Sequence, residues 1–173
     1  MYNICHFLSF KIALFFYNNF IHSYLSYAIH LYYSVTPKSQ TKQLYDIQKK
    51  ALRLVCKPYQ RPKKTLSNAW ITQKIHVLPV PLLSTYSACN FAFSIKSGRC
   101  PSYISEYFQT IGSNQTNRTR QTRYQHKLPS SYKYNQPNHY LVTSFNSLPP
   151  NLRSSSPSSF KAKLKHHIFS LVE

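Results

Sequence analysis

Three carboxylate side chains, Asp46, Glu106 and Glu173, stand against 22 lysines and arginines in a chain of 173 residues, for a formal net charge of +19. So one-sided a chain repels itself when compact unless a polyanion neutralises it. The charge is also uneven. Residues 1–34 carry +1, 35–74 carry +9, 75–113 carry +1, 114–134 carry +5 and 135–173 carry +3. Basic blocks thus alternate with nearly neutral ones, the layout of a packed scaffold with basic surfaces rather than of a uniformly basic tail. Hydrophobic residues make up 42% of the chain, which suffices for one domain with a modest core. Tyrosines and arginines are interleaved along it, so among the available polyanions nucleic acid fits best, ahead of an anionic membrane surface or an acidic partner.

From Ile12 to Pro37 no Lys, Arg, Asp or Glu occurs. That length suits a bilayer span, but Asn18, Asn19, His22, Ser23, Ser26 and His30 interrupt it, and each is costly in hydrocarbon. Leu14, Tyr17, Ile21, Leu25, Ala28, Ile29 and Tyr32 follow the 3–4 spacing of one helical face. The expectation is an amphipathic helix packed on the rest of the domain, ended by Pro37, with membrane insertion the less favoured alternative.

The next segment, "TKQLYDIQKKALRLVCK" over residues 41–57, places Lys42, Lys49, Arg53 and Lys57 within about 80° on a helical wheel, with Lys50 at the edge of that stripe. Leu44, Ile47, Ala51, Leu54 and Val55 fall within about 100° on the other side. A charge run is usually only a solvated face. Here Asp46 is the sole acid near the stripe and "KPYQRPKK" follows at once, adding Arg61, Lys63 and Lys64 in a Pro-broken loop, so phosphate contact is the favoured reading.

"TLSNAWITQKIHVL" reads as a helix with Thr65 or Ser67 as N-cap. Pro79 and Pro81 end it and open another, with Leu83, Tyr86, Ala88, Phe91 and Ile95 near one face and Gly98 as C-cap. "SYISEYFQTI" is a short helix after Pro101 whose aromatics read as core. Residues 112–139 have no helical period; Arg118, Arg120, Arg123, Lys127 and Lys133 alternate there with Tyr124, Tyr132 and Tyr134. Such a loop contacts RNA by stacking and phosphate pairing, or serves as a disordered connector, and both readings stay open. Tyr140 to Leu148 form a short helix or turn stopped by Pro149 and Pro150. Ser156 then serves as N-cap and Pro157 as first residue of a last helix, whose stripe of Phe160, Leu164, Ile168 and Leu171 calls for a docking surface.

No catalytic constellation accompanies this architecture. The acids are unpaired, and there is no Gly-rich phosphate loop or nucleophile motif. Cys5, Cys56, Cys89 and Cys100 contain no CxxC pair and read as reduced, half-buried thiols. His166 and His167 diverge by about 100° on a helix and make poor joint ligands. The sequons at Asn114 and Asn117 matter only in a secretory chain.

Five stretches, in order, carry a resemblance: "IHSYLSYAIHLYY", "IQKKALRLVC", "IHVLPVPLL", the Thr119-Arg120-Gln121 loop, and "FNSLPPNLR" followed by "SSFKAKLK". Together they resemble the C-terminal region of reverse transcriptases from non-LTR retrotransposons of the LINE, jockey-like kind, over residues 10–170. In that family the first stretch reads His-Pro-His-Leu-x-Tyr-Gly, so Ala28 stands where Gly is usual, and Phe145 stands where Trp is usual. The family's palm carries paired metal-binding acids in a Tyr-x-Asp-Asp turn, and no such turn occurs here.

The resemblance implies a mainly α architecture, a small irregular bundle of about six helices: a thumb-like region 1–111, a basic aromatic loop 112–139 and a C-terminal helical clamp 140–173. It implies a non-catalytic fragment that binds the backbone of RNA or an RNA–DNA duplex, with the missing palm as a second partner. The residues expected to do so are Lys42, Lys49, Lys50, Arg53 and Lys57, then Arg61, Lys63 and Lys64, then Arg118, Arg120 and Arg123. No cofactor is expected; the parent polymerase would need Mg, but the ligands for it are absent here. The alternatives are a translated relic without selected activity, and a basic membrane-associated protein anchored by residues 12–33.

Overall fold

The computed structural model describes residues 8–56, 75–113 and 137–171. Among these residues all regular structure is helical, as expected of a mainly α bundle. The order is α1 (Phe10–Phe16), a π-helical turn (Tyr17–His22), α2 (Ser23–Ser26), α3 (Ile29–Tyr32), α4 (Lys38–Cys56), α5 (Val80–Lys96), α6 (Ser102–Ser113), α7 (Pro137–Asn146), α8 (Pro150–Arg153) and α9 (Pro157–Ser170).

The N-terminal segment is not the single helix its spacing suggests. Its inward residues Tyr17, Ile21, Leu25 and Ile29 recur every four positions. A strict four-residue repeat drifts by about 40° per step on a 3.6-residue helix. The π-helical turn, in which the Ser23 N–H reaches back five residues to the Asn18 carbonyl, takes up part of that drift. Tyr17, Leu25 and Ile29 are buried as a result, with Ile21 half-buried. The helix then breaks at Ala28, whose φ of 50° and ψ of 22° are left-handed. A Cβ at a left-handed position is strained.

Two apolar clusters organise the described residues. The larger joins Leu25 and Ile29 to Leu83, Cys89, Ala92, Phe93 and Ile95 of α5, Phe108 of α6, Leu141, Val142 and Phe145 of α7, and Phe160, Leu164 and Ile168 of α9. Residues from both ends of the chain therefore share one core. Phe93 and Phe160 stack with ring centroids 3.9 Å apart. The smaller cluster is Tyr17, Ala51, Leu52, Val55, Cys56, Ile75 and Val77.

The turn signals act much as their residue types require. Pro79 and Pro149 precede α5 and α8, and Pro157 is the first residue of α9. Gly98, at φ 65°, closes α5: its N–H meets the Ile95 carbonyl, and the Arg99 N–H meets that of Ser94. Ser156 sits at the N-cap of α9, but its hydroxyl contacts those of Ser158 and Ser159 instead of a helix N–H.

Further expectations need correction. Tyr103, read as core with the other aromatics of its helix, is 69% exposed. Residues 112–113 belong to α6 and 137–139 to α7, so the aperiodic stretch is shorter than 112–139; its remainder, 114–136, lies outside the described residues. The helix expected over residues 65–78 lies mostly outside them as well, and from His76, at φ 53°, the chain is no longer helical. Leu171 is 59% exposed, because α9 ends one residue earlier and turns it off the stripe; Phe169 is half-buried instead. Finally, Ile47 is 52% exposed. The buried side of α4 is centred on Gln48 and Val55, roughly 60° around the helix from the face that apolar residues alone define.

Candidate nucleic-acid interface

Gln48 fixes which way α4 turns its charges. Its side chain is 1% exposed and makes three hydrogen bonds. The amide Nε2 donates to the Tyr17 hydroxyl at 3.2 Å and to the Leu78 carbonyl at 2.9 Å, and Oε1 accepts from the Val80 N–H at 2.8 Å. The last bond solves a local problem. Pro79 offers no side-chain cap to α5, so the first N–H of that helix is satisfied from α4. Gln48 thereby ties the smaller cluster to the start of α5, and burial pushes the Tyr17 hydroxyl up to about 12.

With Gln48 inward, the cations of α4 point outward. Lys42, Lys50 and Arg53 are exposed, and among the described residues none of them meets a carboxylate. Lys38, not singled out in the sequence because the helix was expected to start later, is exposed on the same side. Lys49 is the exception: its ammonium lies 3.7 Å from Asp46 Oδ1 and 3.9 Å from the centre of the Tyr45 ring, and its side chain is only 30% exposed. The single acid of α4 is thus spent on one lysine, and four cations are left facing solvent. Lys57, Arg61, Lys63, Lys64, Arg118, Arg120 and Arg123 lie outside the described residues.

This ridge weakens the helix that carries it. Like charges four apart, as at Lys38 and Lys42, cost roughly 0.2–0.5 kcal/mol. Lysines in the first turns also oppose the helix dipole, and no acid occupies the first turn to offset them. From Lys38 to Arg53 the ridge is about 22 Å long at 1.5 Å per residue. Over that length one nucleic-acid strand presents roughly six phosphates.

Other polar groups hold the fold together. Arg153 of the "NSLPPNLR" stretch is 7% exposed, donates from Nε to the Leu148 carbonyl at 2.9 Å, and lends its own carbonyl to Lys96 Nζ at 2.7 Å. His30 Nδ1 lies 3.0 Å from the Ser87 hydroxyl and its ring stacks on Phe91, while burial lowers its pKa. His22 is lowered as well, by burial first and then by Lys165, and its Nδ1 is buried without a partner. Burial pushes the thiols of Cys56 and Cys89 up to about 11 and 12, so neither is an activated nucleophile. Among the described residues no three of His, Cys, Asp and Glu gather as a metal site, and no helix is long and apolar enough to cross a membrane.

Comparison with protein-family models, with curated proteins and with solved structures finds no match.

Proposed function

We propose that the chain binds nucleic acid by its backbone, without sequence readout and without catalysis, through the outward ridge of α4. On this reading it is the thumb-like end of a non-LTR retrotransposon polymerase whose palm, with the carboxylates for Mg, is not part of the chain, and its partner is RNA or an RNA–DNA duplex. The observation that supports it is that, among the described residues, Lys38, Lys42, Lys50 and Arg53 meet no carboxylate on one side of a helix that their charge destabilises. Phosphates spaced along a strand relieve that repulsion, and an ordinary solvated face has no need of so one-sided a charge.

The test is fluorescence anisotropy with a labelled RNA–DNA duplex across a salt series. Each phosphate neutralised lowers log K by roughly 0.9 per tenfold rise in salt on duplex DNA. The double variant Lys50→Glu/Arg53→Glu removes most of the binding and flattens the salt slope by about two contacts. The control Lys161→Glu/Lys163→Glu makes the same charge change on exposed positions of α9 and leaves most of the affinity. Equal losses in both variants mean that charge acts without a site. That is the behaviour of a relic whose basicity is inherited, and it overturns the proposal.

A further inference from the structure

A groove of about 330 Å³ lies where α9 passes the start of α8. Pro149 and Leu152 line one side of it, and Lys163, His166, His167 and Ser170 of α9 line the other. These four are spaced i, i+3, i+4 and i+7, so they share about 100° of the helix. That arc borders the buried stripe of Phe160, Leu164 and Ile168. Lys163 and His166 are exposed, and His167, nearest the stripe, is half-buried. The Ser170 hydroxyl is already committed, donating to the His167 carbonyl at 2.7 Å.

Charge and donor chemistry choose the ligand. Among the described residues no acid lines this groove, and none of Lys163, His166 and His167 meets a carboxylate. Cations near a helix C-terminus are ordinarily accounted for by the dipole. That accounts for His167 in the last turn, but not for three donor side chains turned to one concavity. The ammonium donates N–H bonds, and each imidazole offers at least one N–H in either protonation state. The 100° between His166 and His167, which makes them poor joint ligands for a metal ion, suits an anion whose several oxygens take donors from different directions.

We infer that this groove binds a phosphomonoester. Such a group carries about −1.5 to −2 charge at pH 7 and three strong acceptor oxygens, the complement of one lysine and two imidazoles. A volume of about 330 Å³ lies at the lower end of the range for small-molecule sites, roughly 300–1,000 Å³. It holds the phosphate together with the organic group it esterifies, for which Pro149 and Leu152 supply an apolar wall. The site stands apart from the duplex contact of α4 and does not rest on it. Loss of Lys163 spares the duplex and weakens the monoester.

The experiment is side-chain NMR of the full chain carrying ¹³C-labelled histidine, titrated with adenosine 5′-monophosphate, inorganic phosphate and adenosine at fixed pH and ionic strength. The monophosphate is expected to shift the His166 and His167 resonances saturably. Inorganic phosphate shifts the same two at least about tenfold more weakly, because it lacks the organic group, and adenosine shifts neither. Lys163→Gln weakens the monophosphate at least about tenfold. Lys161→Gln, on the same helix but outside the groove, changes it by less than about twofold. Equal losses in the two lysine variants mean that net charge gathers anions without a site, and overturn the inference. So do histidine resonances that the monophosphate leaves in place, or that adenosine moves as far. Inorganic phosphate binding as tightly as the monophosphate assigns the groove to the free ion and overturns the monoester. Glu173, three residues beyond Ser170, lies outside the described residues. Binding that emerges only with Glu173→Gln means that the chain's own carboxylate fills the groove, and also overturns the inference.

Discussion

Around Phe160 the buried side chains are the apolar ones that helical spacing turns inward; around Gln48 the side chain at the centre is polar and its neighbours arrange themselves about its amide. The first region is held by area. Phe93, Phe145, Phe160, Leu164 and Ile168 are at most 6% exposed and come from three helices. The second is held by accounting for backbone groups. Tyr17, Leu78 and Val80 each need a partner, and one amide serves all three. The contrast teaches that the larger core fixes which helices pack, while Gln48 fixes the rotation of α4 and hence which residues its surface presents.

The largest effect is expected where area is lost. Phe160→Ala removes a ring that is 1% exposed and stacked on Phe93, and costs about 3–5 kcal/mol of unfolding free energy in urea titration. If the two regions differ as argued, this variant loses stability as a whole and does not change the orientation of α4. A duplex-binding curve normalised to the folded fraction therefore stays unchanged.

Gln48→Leu comes next and sharpens the comparison. Leucine fills similar space but leaves the Tyr17 hydroxyl, the Leu78 carbonyl and the Val80 N–H without their partner, at about 1–3 kcal/mol for each buried group that finds no substitute. The total expected is about 3 kcal/mol. Its distinguishing mark is local: the Val80 amide loses hydrogen-exchange protection before the amides of α9 do. Uniform loss of protection in both places would show that the two regions unfold as one and that Gln48 has no separate role.

These differences also mark what the sequence discloses. The stripe Phe160–Leu164–Ile168, the starts at Pro79 and Pro157 and the stop at Gly98 are legible, because each depends on one residue type acting over one turn. The cations at Lys42, Lys50 and Arg53 are legible too, since the wheel gathers Lys42 and Arg53 into one stripe with Lys50 at its edge. Gln48 is not, because sorting residues by hydrophobicity pushes a glutamine outward and so rotates the expected face toward Ile47. The clue that remains is negative: Pro79-Val80-Pro81 gives α5 no side-chain cap, so Val80 must find an acceptor elsewhere. Lys49 appears equivalent to Arg53 on a wheel. Its pairing with Asp46 and Tyr45 depends on rotamers that a wheel does not contain.

The break between the N-terminal helices offers a smaller test with the opposite sign. Ala28 holds a left-handed backbone, and its Cβ costs about 1–2 kcal/mol there. Glycine removes that strain and returns part of the gain as unfolded-state entropy. Ala28→Gly is therefore expected to stabilise by about 0.5–1 kcal/mol. A loss of stability on this substitution would mean that Ala28 is not left-handed in solution and that the N-terminal helix continues through it.

The smallest effect depends on pH. The His22 imidazole of the π-helical turn is half-buried, with Tyr17 at 6.1 Å between ring centres and Lys165 of α9 as its charged neighbour. Burial and that lysine lower its pKa below the ordinary 6.5. The unfolded chain therefore takes up the proton at a higher pH than the folded chain, and stability rises with pH across that interval. The contribution of the neutral ring is full above the ordinary value and is lost as pH falls from there through the folded pKa. Since His30 is lowered by burial as well, the described residues of the parent carry two such contributions, and those of His22→Asn carry one. The urea midpoint of the parent should fall more between pH 7.5 and pH 5 than that of His22→Asn, measured side by side with all other histidines common to both. Parallel curves would place His22 in water, away from the influence of Lys165.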